Sequence, residues 1–535
     1  MISAQFFVGV ISMKKIGLIV CLLFAVLTAF AKGASDNGSA ALGGNTGTVS
    51  AKPVEFTVFL NFNNMVFNPE WKVWQEIAKR TNVSLKSVIS QANSNEKEAF
   101  NLMLSSGKLA DVIGYVSISD LEKLGRDGGL IPLNDLIKKH APNIQKRLDT
   151  VPSFASTAYS LDGNIYFIPK DQTLKFSEFY WIRADWLEKL GLSVPTNVDE
   201  LYTVLSAFRN KDPNGNGKKD EIPLFDRAGT KAPDEYLNLF DTSTEFYARN
   251  GKMVFDPMEK EFALGVKMLA KWYKEGLIDP EYFTRGAKSR DILLSGNVGG
   301  FTHDWVSTGD YNTKLAKDIP GFKIIGMAPP KDPYGKIVLR DARTAGSGWG
   351  ISSQCKDPVT LIKFFDFFFT QEGSDLMNWG IEGQEYTRDA SGKKQFTDMV
   401  TKSGQTPIGY LRSIGAQYRI GMPQDGDYEI SVMSPEAKSV ATLYTQHPEW
   451  YPSDIPPYAD MRIIMKVKPE DDARYKKIMT SVRPYVDEKF QSWILGSSDF
   501  DKDYPAFKAE LEKRGIKDAI AILQRAYDIS YKKNK

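Results

Sequence analysis

Val54-Glu55-Phe56-Thr57-Val58-Phe59-Leu60 is nearly all apolar or β-favouring, and it stops at the polar turn Asn61-Phe62-Asn63-Asn64. It reads as a buried strand ending in a loop. Asn68-Pro69-Glu70 follows, a cap, a proline and an acid that open a helix whose buried face is Trp71, Trp74, Ile77 and Ala78. Val83 to Ile89 predicts a second strand. Phe100, Met103 and Leu104 mark a second helix, and Asp111-Val112-Ile113-Gly114-Tyr115-Val116 a third strand. Strands alternating with helices predict an α/β fold built on a mostly parallel sheet. In such open sheets ligands sit beyond the carboxyl ends of strands. That makes Asn61 and Asn63 candidate ligand contacts.

Further along, an Asp162-Gly163 turn leads into Ile165-Tyr166-Phe167-Ile168-Pro169. Trp181 to Leu190 contains a short helix stopped by Gly191. Pro195-Thr196 restarts the chain, with Asp199 and Glu200 able to reach back to the cap. Leu201, Val204, Leu205 and Phe208 keep helical period up to Asp212-Pro213-Asn214-Gly215-Asn216-Gly217-Lys218-Lys219-Asp220-Glu221-Ile222-Pro223. Side-chain oxygens recur there at alternate positions and a glycine allows the sharp turn, as a calcium ion with six to eight oxygen ligands requires. Lys218 would contribute its backbone carbonyl. Pro223 stands where an EF-hand carries its bidentate glutamate, and no second amphipathic helix follows, so the reading is a single structural loop. The alternative is a metal-free Asn/Gly-rich turn. Phe262, Val266, Leu269 and Tyr273 predict another helix, ended by Gly276.

The chain has 535 residues, too many for one core, so two or more domains are expected. With 68 Lys and Arg against 66 Asp and Glu, nothing favours nucleic acid or a membrane surface. The ten Trp and 23 Tyr exceed what a core usually needs and suit stacking on sugar rings. His140, His303 and His447 stand alone and far apart, with no zinc spacing and no catalytic triad order. No glycine-rich phosphate loop occurs.

Met13-Lys14-Lys15, an apolar run from Ile16 to Phe30 and the Ala29-Phe30-Ala31 cleavage pattern predict a secretory signal peptide over residues 1–31, with the start at Met13. Residues 32–52 read as a flexible linker. The location expected is periplasmic. Cys21 keeps a lipid-anchored alternative open, although it lies inside the apolar run. Cys355 is then the remaining cysteine, a structural thiol that forms no intramolecular disulfide.

Asp185-Trp186-Leu187-Glu188-Lys189-Leu190-Gly191-Leu192, Pro195-Thr196, the Asp212 loop and Trp272-Tyr273-Lys274-Glu275-Gly276-Leu277-Ile278-Asp279-Pro280 occur in that order. The combination resembles the family 1 extracellular solute-binding proteins of ABC importers, in the large oligosaccharide-binding branch that includes the alginate-binding proteins. The resemblance runs from about Val54 to the end. It implies a two-lobe periplasmic binding protein fold of the class II type, with a hinge of several crossings. It places residues 53–170 and 327–371 in lobe one, and 171–326 and 372–535 in lobe two. It also implies a structural calcium ion at Asp212, Asn214, Asn216, Lys218, Asp220 and Glu221. The partners implied are an oligosaccharide and the importer's membrane permease subunits, with the receptor a monomer.

Sugar sites combine aromatic platforms with polar groups. Phe301-Thr302-His303-Asp304-Trp305 resembles the second-lobe strand that ends at the cleft, so Trp305 and Asp304 are candidates. Trp349 sits between glycines that would leave its ring uncrowded. Lys170 and Asp171 lie at the first crossing. Arg340 or Arg343 could pair with an acidic sugar, and Trp450-Tyr451 is a further aromatic pair. Phe364, Phe365, Phe367, Phe368 and Phe369 read as buried helix. A binding receptor is expected, not an enzyme. The alternative, a secreted glycosidase or lyase, needs two carboxylates flanking a cleft; Glu382 and Asp304 are single carboxylates that the sequence cannot pair. A surface adhesion protein would lack a hinge.

Overall fold

The computed structural model describes residues 48–531 except 63–64, 90–94, 115–116, 172–177, 228, 230–231, 340–345, 419 and 452–466. The signal peptide, Cys21, most of the linker, Asn63, Arg340 and Arg343 therefore lie outside the described residues. Among the described residues no helix is long and apolar enough to cross a membrane.

The strands of the two main sheets are, in chain order, β1 (Val54–Phe59), β2 (Val83–Ser87), β3 (Val112–Gly114), β4 (Ile168–Lys170), β5 (Glu178–Arg183), β6 (Ile222–Leu224), β7 (Gly299–Trp305), β8 (Ile324–Met327) and β9 (Gly346–Ile351). The first sheet runs β2-β1-β3-β9-β4 and the second β8-β5-β7-β6. Each carries its own core. Phe56 and Val58 of β1 pack on one side of the first sheet and Phe59 on the other. Burial on both faces explains why that strand is apolar almost throughout.

The expectation of mostly parallel sheets needs correction. Pairs joined by helices within one lobe are parallel: β1 with β2 and β3, and β6 with β7. Strands that arrive from the other lobe run antiparallel: β9 against β3 and β4, and β5 against β7 and β8. A helical crossover dictates parallel direction, but a hinge crossing does not.

Local signals are mostly met. Gly191 ends the helix Ala184–Leu190 at φ 65°, and Gly276 has φ 73° just beyond the helix Lys260–Lys274. Asn197 caps the helix Val198–Asn210, and Glu200 reaches back to the Thr196 amide at 2.8 Å. The first helix starts later than read, at Lys72, because Asn68 instead closes a turn on the Glu70 amide at 3.0 Å.

The chain after Gln371 also departs from the expected division. Buried side chains from Leu376 to Tyr428 pack with the first sheet's core, and those from Met433 onward with the second. The helix Lys72–Thr81 holds this segment: Trp74 Nε1 donates to Gly415 O at 3.0 Å and Lys72 pairs with Glu385 at 2.6 Å. Among the described residues, membership therefore switches from one core to the other three times: from Ile168 to Phe179, from Leu339 to Trp349, and from Tyr428 to Met433, with the second switch running from the second core to the first.

Beneath the first sheet, Asp366 accepts from the Ile144 amide at 2.8 Å and from Asn143 at 2.7 Å. Burial still pushes its carboxyl from an ordinary 3.8 up to about 6. The folded chain therefore keeps this proton to higher pH than the unfolded one. The group costs nothing below about pH 4, and its cost grows as pH rises towards 6. Asp366→Asn should gain on the parent by up to about 3 kcal/mol between pH 4 and pH 7, at about 1.4 kcal/mol per pKa unit. Urea unfolding at both values reads it; a constant difference would count against the buried charge.

Candidate ligand site and candidate calcium loop

The Asp212 loop is wound by its own side chains. Asp212 accepts from the Asn216 and Gly217 amides at 3.0 and 2.9 Å, Asn214 from the Asn216 amide at 3.0 Å, and Asn216 from the Lys218 amide at 2.7 Å. Gly215 and Gly217 both have φ near 75°, which L side chains rarely adopt. Asp220 accepts from both asparagine amides at 3.0 to 3.1 Å. Both Glu221 oxygens are buried with no hydrogen-bond partner. Burial, with Asp220 and Asp212 nearby, holds that carboxyl above its usual range. A buried carboxylate that no protein donor satisfies, beside two more acids, is what a hard cation would satisfy, so the donor set fits calcium.

The loop is tied to its surroundings. Lys189 donates to Pro213 O at 2.9 Å and Arg209 to Glu221 O at 2.7 Å. Asn214 donates to Asn297 O at 3.3 Å, and the Asn297 side chain takes a bond from Arg183 at 2.7 Å. Asn297 lies two residues before β7, whose far end is Trp305.

Of the ten tryptophans, eight are buried, Trp71 is half-buried, and Trp305 is 41% exposed. Trp305 ends β7, one of the two inner strands of the second sheet, at its carboxyl end, where ligands of α/β sheets gather. Asp304 beside it is buried on the opposite face, 3.4 Å from Arg290 and 3.5 Å from Arg227. Burial holds its carboxyl above the usual range against the pull of both arginines.

His303 is not alone, contrary to expectation. Its Nδ1 lies 2.9 Å from a Glu235 oxygen, and ligand-type atoms of Glu178, Glu235 and His303 all fall within 4.8 Å of one another. The three come from β5, the helix Ala232–Leu237 and β7, so no spacing in the sequence could reveal them.

Trp349 is corrected to a core residue. It has no exposed surface and stacks on Phe365 at 4.4 Å and 11°. Its glycine neighbours serve backbone contact, not ring access: a Cβ on Gly348 would lie 1.8 Å from Ile168 O, and one on Gly350 2.4 Å from Tyr166 O. Trp450 and Tyr451 are likewise buried, with Trp450 stacked on His447 at 4.3 Å. Asp171 is buried against Arg147, and its backbone is clipped to Met422 and Gln424 at 3.0 and 2.8 Å. Lys170 is buried at the end of β4, and the Asn61 backbone pairs with Val66 in a small hairpin. Glu382 is a surface acid 3.3 Å from Arg388. Burial pushes the Cys355 thiol up to about 11, which suits a structural role.

The fructooligosaccharide ABC transporter substrate-binding protein FusA of Streptococcus pneumoniae serotype 4 (strain ATCC BAA-334 / TIGR4) is 28% identical over 492 residues, spanning 86% of this chain and 87% of that protein. Among solved structures, the alginate-binding protein AlgQ2 without calcium ion is similar at TM-score 0.76 and 38% identity, over 90% of this chain and 99% of that one. A FusA EF-hand mutant in complex with fructo-nystose is similar at TM-score 0.68 and 26% identity, over 90% and 99%. The model of the bacterial extracellular solute-binding protein family matches residues 69–375, more than half of the sequence. With two sheets, two cores and repeated crossings already in place, that match settles the assignment: the chain belongs to the bacterial extracellular solute-binding proteins.

Proposed function

We propose that this protein is the receptor of an ABC importer, that its two lobes close on an oligosaccharide without cutting it, and that it hands the sugar to a membrane permease. The observation that carries the reading is Trp305, the exposed tryptophan, standing at the carboxyl end of β7, an inner strand of the second sheet. A flat apolar ring at a strand end suits a pyranose face. FusA and AlgQ2 support the reading through the ligands their names carry. Lys170 and Asn61 stand at strand ends of the first lobe, and we assign them to the opposing wall. We further propose that lobe one comprises residues to Asp171 together with about 346–428, and lobe two the remainder. In the same reading a calcium ion, held by Asp212, Asn214, Asn216, the Lys218 carbonyl, Asp220 and Glu221, braces lobe two. Residues 1–31 act as the export signal.

Closure predicts that the radius of gyration by X-ray scattering falls when a bound oligosaccharide is added. Glu178 and Glu235 approach one another closely enough that hydrolysis is worth checking in the same sample. The sugar should be recovered at full length. Shortened products would replace the receptor with an enzyme, and an unchanged radius on binding would remove the hinge.

A further inference from the structure

The register of β5 on β7 pairs Trp305 with Glu178 and His303 with Tyr180, so these four side chains share one face at the strand ends. Glu235 joins that face from the covering helix through His303. Phe179 and Asp304 point to the other face, and Asp304 is where Arg227 and Arg290 are engaged. The face that presents the exposed indole therefore carries two carboxylates and an imidazole, while Arg227 and Arg290 both lie against the single acid Asp304 on the other face.

We infer that Glu178, Glu235 and His303 form the polar half of a subsite over Trp305, and that this subsite takes an uncharged sugar unit and disfavours a uronate. The inference rests on the oligosaccharide reading above. A pyranose laid on the indole turns its hydroxyl rim outward. Carboxylates are pure acceptors with several lone pairs each, so Glu178 and Glu235 accept hydrogen bonds from sugar hydroxyls while keeping other contacts. A uronate would bring a third carboxylate to a place where two already lie within 4.8 Å of each other. In a half-buried setting that repulsion is weakly screened.

The test is calorimetry on the mature chain, with calcium present throughout, against neutral oligosaccharides (fructo-, manno- and galacto-oligosaccharides) and oligomers of alginate and polygalacturonate. A neutral oligosaccharide should bind best, with the uronates at least about tenfold weaker. Glu178→Gln and Glu235→Gln, both nearly isosteric, should each weaken the neutral ligand about tenfold or more, because a charged acceptor becomes a neutral one. The double variant should narrow the gap to the uronates. A uronate oligomer binding as tightly as any neutral sugar overturns the inference and leaves the oligosaccharide reading standing. So do Gln variants that bind like the parent, or binding that requires zinc at the trio. Failure of every glycan to bind removes the oligosaccharide reading itself.

Discussion

Stripping divalent ions with a chelator should lower the melting temperature of this protein by several degrees, and calcium should restore it. The expectation follows from Glu221, whose two buried oxygens have no protein donor, and from the acids Asp212 and Asp220 beside it. An ion that binds the folded chain alone stabilises it by about 2.7 kcal/mol at a hundredfold excess over its dissociation constant. At about 2–4 °C per kcal/mol for a domain of roughly this size, the shift is easily read by calorimetry. Magnesium should restore less, because it demands a smaller octahedral shell than this loop supplies. Asp212→Ala should melt low whether or not calcium is present. A melting curve indifferent to both chelator and calcium would leave an Asn/Gly turn and no metal.

Two tryptophans should fail in opposite ways. Trp305→Ala is expected to cost about 2–4 kcal/mol of sugar binding, roughly thirty- to a thousandfold, because truncating a central aromatic platform removes a hot spot. Its melting temperature should hardly move, since an exposed ring contributes little to folding. Trp349→Ala should cost about 3–5 kcal/mol of stability, because it empties a site walled by Phe364, Phe365 and Phe368. The fraction that remains folded should bind sugar with unchanged affinity. Urea unfolding and titration calorimetry on both variants separate the outcomes; a stable Trp349→Ala that no longer binds would put that ring in the cleft.

What could be read directly from the chain was whatever depends on neighbours in sequence. The alternation from Val54 to Gly114 carried the α/β class, the Gly191 and Gly276 stops carried helix ends, and the Asp212 spacing carried the loop. What depends on distant segments was hidden. Strand direction in the second sheet is set by where the chain enters from the other lobe, which no local pattern records. Residues 376–428 join the first core through contacts such as Tyr418 with Met65 O at 2.7 Å, made across some 350 residues of chain. The surplus of tryptophan suggested surface platforms, yet most of it is core, because large rings fill the two lobes as well as they stack on sugars. Glu178, Glu235 and His303 were missed as a group for the same reason that the third crossing was placed near residue 371 rather than beyond Tyr428. The one faint sign was the alternation Phe301, His303, Trp305, which shares a face only if the stretch is a strand.

The glycines beside Trp349 bear on how genetic data for such a receptor would be understood. Any larger residue at position 348 or 350 drives its Cβ into the Ile168 or Tyr166 carbonyl of the adjacent segment. A mutational screen scored by growth on the imported nutrient would rank both positions with the residues that grip the cargo. Neither would touch it; their alleles would be starved of folded receptor, and expression level, not affinity, would tell the two groups apart.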